Sequence, residues 1–289
     1  MKRLLRSLLP GPVKDALSRG RERVLLASLR AAVREQGLSA LAARLREIIP
    51  DVSRQYSSFA VDTPYLEEKV RGQQAFQISL ALGEIDSLPG ASVVDIGDSS
   101  GAHVLYLKAL SPASQRRWLS VNLDAAAVER IRARGLEAML VRAEELHAHD
   151  VRADIFLSFE TLEHLSDPIS FLHALAQTRC RRLVLTVPYV RRSRVGLHHI
   201  RQGLRKRVSP ESTHHFELSP EDWRLVFLHA GWRVVRDEVY LQYPRRHPLA
   251  ATKAVWGSMD FEGFYGAVLT PDPSWSVLYS GWQDEKATP

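Results

Sequence analysis

Two short stretches of this 289-residue chain combine carboxylates and imidazoles at spacings that could do chemistry. Glu160, Glu163 and His164 stand at i, i+3 and i+4, so a helix starting there projects all three from one face, an arrangement that suits a divalent cation. The same residues also read structurally: acids in a first helical turn complement the helix dipole, and a nearby histidine can cap or pack. Thr213-His214-His215-Phe216-Glu217 supplies imidazole from a later segment expected to return across the same edge, which strengthens the metal reading. A third stretch, VVDIGDSSGAH (93–103), is a glycine-containing turn between an apolar strand and a helix. Such a turn lets a ligand approach the backbone and turns exposed N–H groups and the positive dipole end toward anionic oxygens.

The elements that must position these groups follow from hydrophobic periodicity. Apolar residues at 25, 26, 29 and 33, and at 38, 41, 45 and 48, have helical spacing, with Gly37 between the runs and Pro50 after them. Residues 64–85 predict a further amphipathic helix, closed by Pro89 and Gly90. From Ala91 short apolar runs alternate with helical segments: strands at 92–96, 118–122, 137–141, 154–159 and 182–187, and helices at 102–110, 124–134 and 161–176. That alternation predicts an α/β fold, a doubly wound, mainly parallel Rossmann-like sheet covered on both faces. About thirty residues without periodicity follow Val187, then a helix over 219–230 capped by Ser219, and two last strands that could pair antiparallel.

Taken in order, these motifs resemble the class I S-adenosylmethionine-dependent methyltransferases over roughly residues 85–270. Asp95, Gly97 and Gly101 take the acidic and glycine positions of the first motif. WLSVNLDAAAVERIRARG resembles the second strand and its helix, AEEL (143–146) the adenine-binding turn, and ADIFLSFETLEHLSDP (153–168) the fourth-strand motif. The resemblance implies seven strands, one of them antiparallel, with the donor methyl above the carboxyl ends of the strands. It also implies S-adenosyl-L-methionine as cofactor, held by Asp95, Gly97, Ser99, Gly101, Asn122, Asp124, Ala143, Glu144 and Ser158. Two positions depart from the pattern: Ser99 replaces the middle glycine, and Asn122 replaces the acid that holds the ribose hydroxyls. An amide offers one acceptor where a carboxylate grips a diol, so weaker ribose binding is expected unless Asp124 compensates. A dinucleotide is disfavoured, since G-x-G-x-x-G is absent.

The pair E-x-x-E-H and H-x-F-E resembles the metal-dependent 2′-O-methyltransferases of small-RNA 3′ ends and, more loosely, the O-methyltransferases of ubiquinone biosynthesis. That likeness implies a divalent metal, Mg²⁺ or Mn²⁺ first, on Glu160, Glu163, His164 and His214. A hydroxyl attacking a sulfonium methyl must lose its proton. His215 is the candidate base, with His164 or His214 as substitutes.

The organisation implied is an N-terminal helical extension over 1–84, a methyltransferase domain over 85–270 with a basic insertion at 188–218, and a tail over 271–289. The net charge is +6, concentrated in residues 1–24 (Lys2, Arg3, Arg6, Lys14, Arg19, Arg21 and Arg23) and in residues 191–207, which hold seven cations and no acid. Those cations point to an anionic small molecule or glycan as substrate, a phosphorylated or lipid-linked sugar first because vicinal diols are common there, and RNA second. Peripheral contact with an anionic membrane is a further expectation, since Val195, Leu197, Ile200 and Leu204 interleave with the arginines. A non-catalytic partner protein is the reading from another class, raised by Ser99 and Asn122. Lys69 and Arg71, just before the first strand, could close over the cofactor carboxylate, with a solvated helix face the reading preferred. The tryptophans read as core or interface residues, and the aromatic tail as a segment that docks.

Composition excludes whole classes: 45% apolar and 25% charged residues are those of a folded globular chain, not of disorder or collagen. The single Cys180 forms no intramolecular disulfide and no thiolate zinc cluster. MKRLLRSLLPGPV imitates an export signal, but Arg6, Pro10 and Pro12 interrupt it, so the expected location is cytoplasmic, peripheral at the inner membrane face at most.

Overall fold

The computed structural model describes residues 11–56, 60–112, 116–178, 180–196, 213–259 and 262–282. Three helices, α1 (Gly11–Glu35), α2 (Ser39–Ile48) and α3 (Pro64–Ser87), precede the first strand. The alternating region follows as β1 (Val93–Ile96), α4 (Ala102–Leu110), β2 (Trp118–Asn122), α5 (Ala125–Ala133), β3 (Ala138–Leu140), β4 (Ile155–Phe159), α6 (Pro168–Ala176) and β5 (Arg182–Tyr189). The two-residue strands β6 (Arg194–Val195) and β7 (Phe216–Glu217) pair with each other. Then come α7 (Pro220–His229), β8 (Trp232–Leu241), α8 (Lys253–Met259) and β9 (Gly263–Pro271).

The main sheet has seven strands in the order β3-β2-β1-β4-β5-β9-β8. The first five are mutually parallel, and β9 runs antiparallel to both β5 and β8. Every residue of β1 and β4 is buried, as a central parallel strand covered on both faces requires. Period-two alternation divides β4: Ile155, Leu157 and Phe159 join the cluster under α2–α4, and Phe156 joins the cluster with Phe171, Trp223 and Trp232 on the other face. Phe76, Ile78 and Leu80 of α3 lie in the first of these clusters, so the third N-terminal helix is part of the sheet's own core.

Two sequence expectations change. No helix starts at Glu160. That residue takes a left-handed conformation (φ 51°), Leu162–His164 form a single 3-10 turn, and α6 waits for the Asp167 cap and Pro168. The cause is local: the Glu160 N–H still donates across to the Thr186 carbonyl at 2.9 Å, and the Thr161 hydroxyl donates to the Ile96 and Phe159 carbonyls, which prolongs strand-like pairing. Arg71 is not on a solvated face. It is fully buried and donates to the Ile49 and Pro50 carbonyls (2.6 and 2.9 Å) and the Tyr106 hydroxyl (2.8 Å).

Trp223, Trp232 and Trp256 are buried, whereas Trp275 is exposed. Trp282 stacks on His173 at 3.9 Å and donates to the His229 carbonyl, so the tail is docked as far as it is described. Among the described residues no helix is long and apolar enough to cross a membrane.

Candidate functional site

Parallel strands deliver the predicted cofactor residues to one edge: Gly97 follows β1, Asn122 ends β2, Ala143 follows β3, and Ser158 lies near the end of β4. Gly97 (φ 89°) lies so close to Thr161 that a Cβ would stand 2.3 Å from its hydroxyl. Gly101 (φ 78°) caps α4. Asp95 is buried against His103, Oδ2 to Nδ1 at 3.0 Å, and burial followed by the nearby Asp98 charge pushes its carboxyl up to about 6.

The loop leading into α4 was expected to offer its N–H groups to an anionic ligand, but Asp98 takes two of them. Asp98 Oδ1 accepts from Ser100 N (3.1 Å) and Gly101 N (2.7 Å), and Oδ2 accepts from the Ser120 hydroxyl at 2.9 Å. A pyrophosphate would therefore meet a carboxylate where a dinucleotide site offers bare donors. S-adenosylmethionine has no phosphate and avoids this clash, so the donor set fits it better than a dinucleotide.

Both departures from the family pattern have internal partners. The Ser99 hydroxyl accepts from Gln55 Nε2 at 3.3 Å, and Arg130 and Arg134 donate to the carbonyls of Ser99 and Ser100. Asn122 Nδ2 donates to the Asp98 carbonyl at 2.9 Å, and its Oδ1 accepts from Asp124 N at 2.7 Å. An amide, with a donor and an acceptor, ties the two loops together as a carboxylate could not. The Asp124 carboxylate caps α5 through Ala126 N. Ala143 is buried, Glu144 lies 3.4 Å from Arg142, and Ser158 is fully buried with its hydroxyl lacking a hydrogen-bond partner.

Ligand atoms of Glu163, His164 and His214 lie within 4.8 Å of one another beyond β4. His164 Nδ1 is 3.1 Å from the Thr213 carbonyl and His214 Nδ1 is 2.5 Å from Glu217 Oε1. Each Nδ1 thus faces an acceptor and carries the proton, which makes Nε2 the nitrogen able to coordinate. Glu163 is buried and no hydrogen-bond donor reaches either of its carboxylate oxygens. Burial, then the neighbouring Glu160 charge, holds its carboxyl well above the usual range. Glu160 lies outside the triplet but against Glu163. Burial dominates there too and pushes it up to about 8, against the opposing bond from Thr186. A carboxylate stripped of donors beside two oriented imidazoles fits a divalent cation, and a bound cation would lower both carboxyls.

Three of the four proposed ligands converge. His215 lies beside that triplet, not in it: its backbone N–H donates to the Glu163 carbonyl at 2.6 Å, which docks the later segment on the 3-10 turn. Sequence reasoning missed Asp98 and Gln55 on the cofactor loop, and it missed Glu217, which orients His214 while Arg194 holds it at 2.6 Å. Glu217 stood in the quoted H-x-F-E motif, and the interval from His214 was a signal that could have found it. Gln55 carried no signal, because a linker glutamine has no motif around it. Of the basic stretch, residues 197–212 lie outside the described residues, as do Lys2, Arg3 and Arg6.

No family model and no curated protein matches the chain. Solved structures do. The [4+2]-cyclase SpnF is 12% identical, with 84% of this chain and 97% of that one covered at a TM-score of 0.53. An O-methyltransferase of a Brevibacillus brevis trans-AT PKS multienzyme, in complex with S-adenosyl-L-homocysteine, is 11% identical, with 71% and 74% covered at a TM-score of 0.50. The N1-methyltransferase of 1,6-didemethyltoxoflavin from Burkholderia thailandensis, with S-adenosylhomocysteine bound, is 15% identical, with 69% and 78% covered at a TM-score of 0.49. At such identities the likeness speaks for architecture: this chain has the class I methyltransferase fold, with an N-terminal helical segment added before the sheet.

Proposed function

We propose that this chain is an S-adenosylmethionine-dependent O-methyltransferase, metal-assisted, acting on a hydroxyl of a vicinal diol in a sugar, glycan or phosphorylated sugar conjugate. The observation that carries this reading is the placement of Glu163, His164 and His214 together at the sheet edge that also holds the Gly97–Gly101 loop. In this reading Glu163, His164 and His214 hold the cation, with Glu160 as the adjoining carboxylate. When bound, the ion supplies Lewis acidity that lowers the pKa of a coordinated hydroxyl.

The chain's residues do the rest. Glu217, itself held by Arg194, fixes the His214 ring, and the Thr213 carbonyl fixes His164, so the ligand geometry is set before a substrate arrives. His215, on the segment docked against Glu163, is the candidate to take the acceptor proton. The cations after β5 favour an anionic acceptor. Arg191, at 3.1 Å from Glu262, and Arg194, at 2.6 Å from Glu217, are the described ones already set against acids.

A non-catalytic reading draws on one specific observation: the Asn122 amide is engaged by Asp98 and Asp124 on both its donor and acceptor sides. Calorimetric titration with S-adenosylhomocysteine separates the two. Micromolar affinity, together with Mn²⁺-dependent methylation of diol sugars, supports the enzyme. No binding at millimolar cofactor leaves the partner-protein reading, and methylation of RNA with a steep salt dependence replaces the sugar by the nucleic acid.

A further inference from the structure

The linker between α2 and α3 has no regular secondary structure where it is described, yet it is held at three points, and one of them is the cofactor loop. Arg71 takes the Ile49 and Pro50 carbonyls where the linker begins. Val52 and Val61 are buried with Val70 of α3, and the Val61 N–H donates to the Ser53 carbonyl at 3.0 Å, which folds the strip back on itself. Between those anchors stands Gln55, only 3% exposed. Its amide leaves the linker for the Gly97–Gly101 loop: the Ser100 hydroxyl donates to Oε1 at 2.8 Å, and Nε2 donates to the Ser99 hydroxyl oxygen at 3.3 Å. A glycine at position 99 would give that Nε2 nothing to donate to, so Ser99 and Gln55 form a matched pair.

The pairing decides where the Ser99 hydrogen goes. Because the hydroxyl oxygen accepts from Gln55, its own hydrogen points away from the linker, and among the described residues no acceptor takes it. Neighbouring groups are committed within the protein. The Asp98 carboxylate is taken by Ser100 N, Gly101 N and the Ser120 hydroxyl, and the carbonyls of residues 98, 99 and 100 accept from Asn122, Arg130 and Arg134. Ser99 itself is half-buried, so a ligand at the sheet edge can reach this donor.

We infer that the Ser99 hydroxyl is a cofactor-binding donor preset by Gln55: it offers its hydrogen to an oxygen of the adenosyl cofactor and supplies part of the hold that Asn122, engaged on both sides, does not. Gln55 is the positioning residue, and through it the N-terminal helical segment is part of the cofactor site. A donor fixed before the ligand arrives costs no ordering on binding. The inference rests on the S-adenosylmethionine reading proposed above and is independent of the cation.

The test is calorimetric titration of the full chain with S-adenosylhomocysteine, without added metal, for the unsubstituted protein and for Ser99→Ala, Ser99→Thr, Gln55→Met and the Gln55→Met/Ser99→Ala pair. Circular dichroism and a thermal melt check that each variant is folded. Ser99→Ala weakens the cofactor about tenfold, the loss of one hydrogen bond, and Gln55→Met weakens it roughly threefold to tenfold by releasing the hydroxyl to rotate. Ser99→Thr keeps the hydroxyl and stays within about threefold of the parent. The pair binds as Ser99→Ala does, since Gln55 acts through that hydroxyl, whereas a merely structural glutamine would cost affinity in either background. Hydrogen exchange of the unsubstituted protein supplies a readout without any variant: bound S-adenosylhomocysteine slows the amides of residues 49–56. Unchanged affinity in folded Ser99→Ala or Gln55→Met, additive losses in the pair, or unaltered exchange over 49–56 on binding overturns the inference and leaves the cofactor reading intact. Failure of the unsubstituted protein to bind S-adenosylhomocysteine overturns that reading and this inference with it.

Discussion

Replacing Glu160 by glutamine separates a cation site from an acidic pair that merely tolerates burial. The amide keeps the shape, and its NH₂ can donate to Glu163, whose oxygens no donor reaches. Both carboxyls bind protons more tightly folded than unfolded, so without a cation they take stability away as pH rises above the ordinary glutamate value, and the loss ends only beyond the raised folded value. For Glu160 the displacement runs from 4.5 to about 8. At about 1.4 kcal/mol per pKa unit the ceiling is about 5 kcal/mol, and partial solvent exposure of the residue reduces this to roughly 2–3 kcal/mol at pH 8. Metal-free Glu160→Gln therefore melts roughly 4–10 °C above the unsubstituted chain at pH 8 and close to it at pH 5. Saturating Mn²⁺ closes the gap, because the unsubstituted chain gains about 2.7 kcal/mol at a hundredfold excess over Kd, which matches its deficit, and the variant gains less. Differential scanning calorimetry at the two pH values, with Mn²⁺ and with a chelator, reads all four states. A variant that melts lower at pH 8 without metal, or one stabilised by Mn²⁺ as fully as the parent, refutes the reasoning.

Other substitutions probe separate parts of the site. Glu163→Ala and His214→Ala should each reduce methyl transfer at least a hundredfold while S-adenosylhomocysteine affinity, read by calorimetry, stays nearly constant. Normal turnover in either would remove the metal from the chemistry. Gly97→Ala places a Cβ at a left-handed φ and 2.3 Å from the Thr161 hydroxyl, and a loss of about 2–4 kcal/mol in urea unfolding is expected, with weakened cofactor binding. Arg71→Met strips the Ile49 and Pro50 carbonyls and the Tyr106 hydroxyl of their donor. We expect about 3 kcal/mol of destabilisation and faster proteolysis in the 49–56 linker, and resistance equal to the parent would show that the clamp is idle.

The architecture was legible because it depends on local regularities. Mostly apolar β1 and β4 with helices between them require a covered parallel sheet, and the glycines at 97 and 101 announce a tight turn whatever the rest of the chain does. The helix start at Glu160 was misread because i, i+3, i+4 spacing carries no information about strand pairing. The bond from Glu160 N to the Thr186 carbonyl comes from a strand with which this segment has no sequence proximity, and it overrides the local pattern. Arg71 was misread for a similar reason, since its type argues for solvent and only the carbonyls of a crossing linker reveal that it is buried and paired.

The sequence by itself determined which groups could act: two glutamates, an adjoining histidine, a later histidine doublet, and a strand-turn-helix able to seat an adenosyl ligand. Tertiary structure decided which of them meet and in what state. Identity and spacing are encoded locally, but proximity, tautomer and proton affinity depend on what lies across the sheet. It is there that Glu217 orients His214, Thr213 orients His164, and Asp98 takes the loop N–H groups ahead of α4.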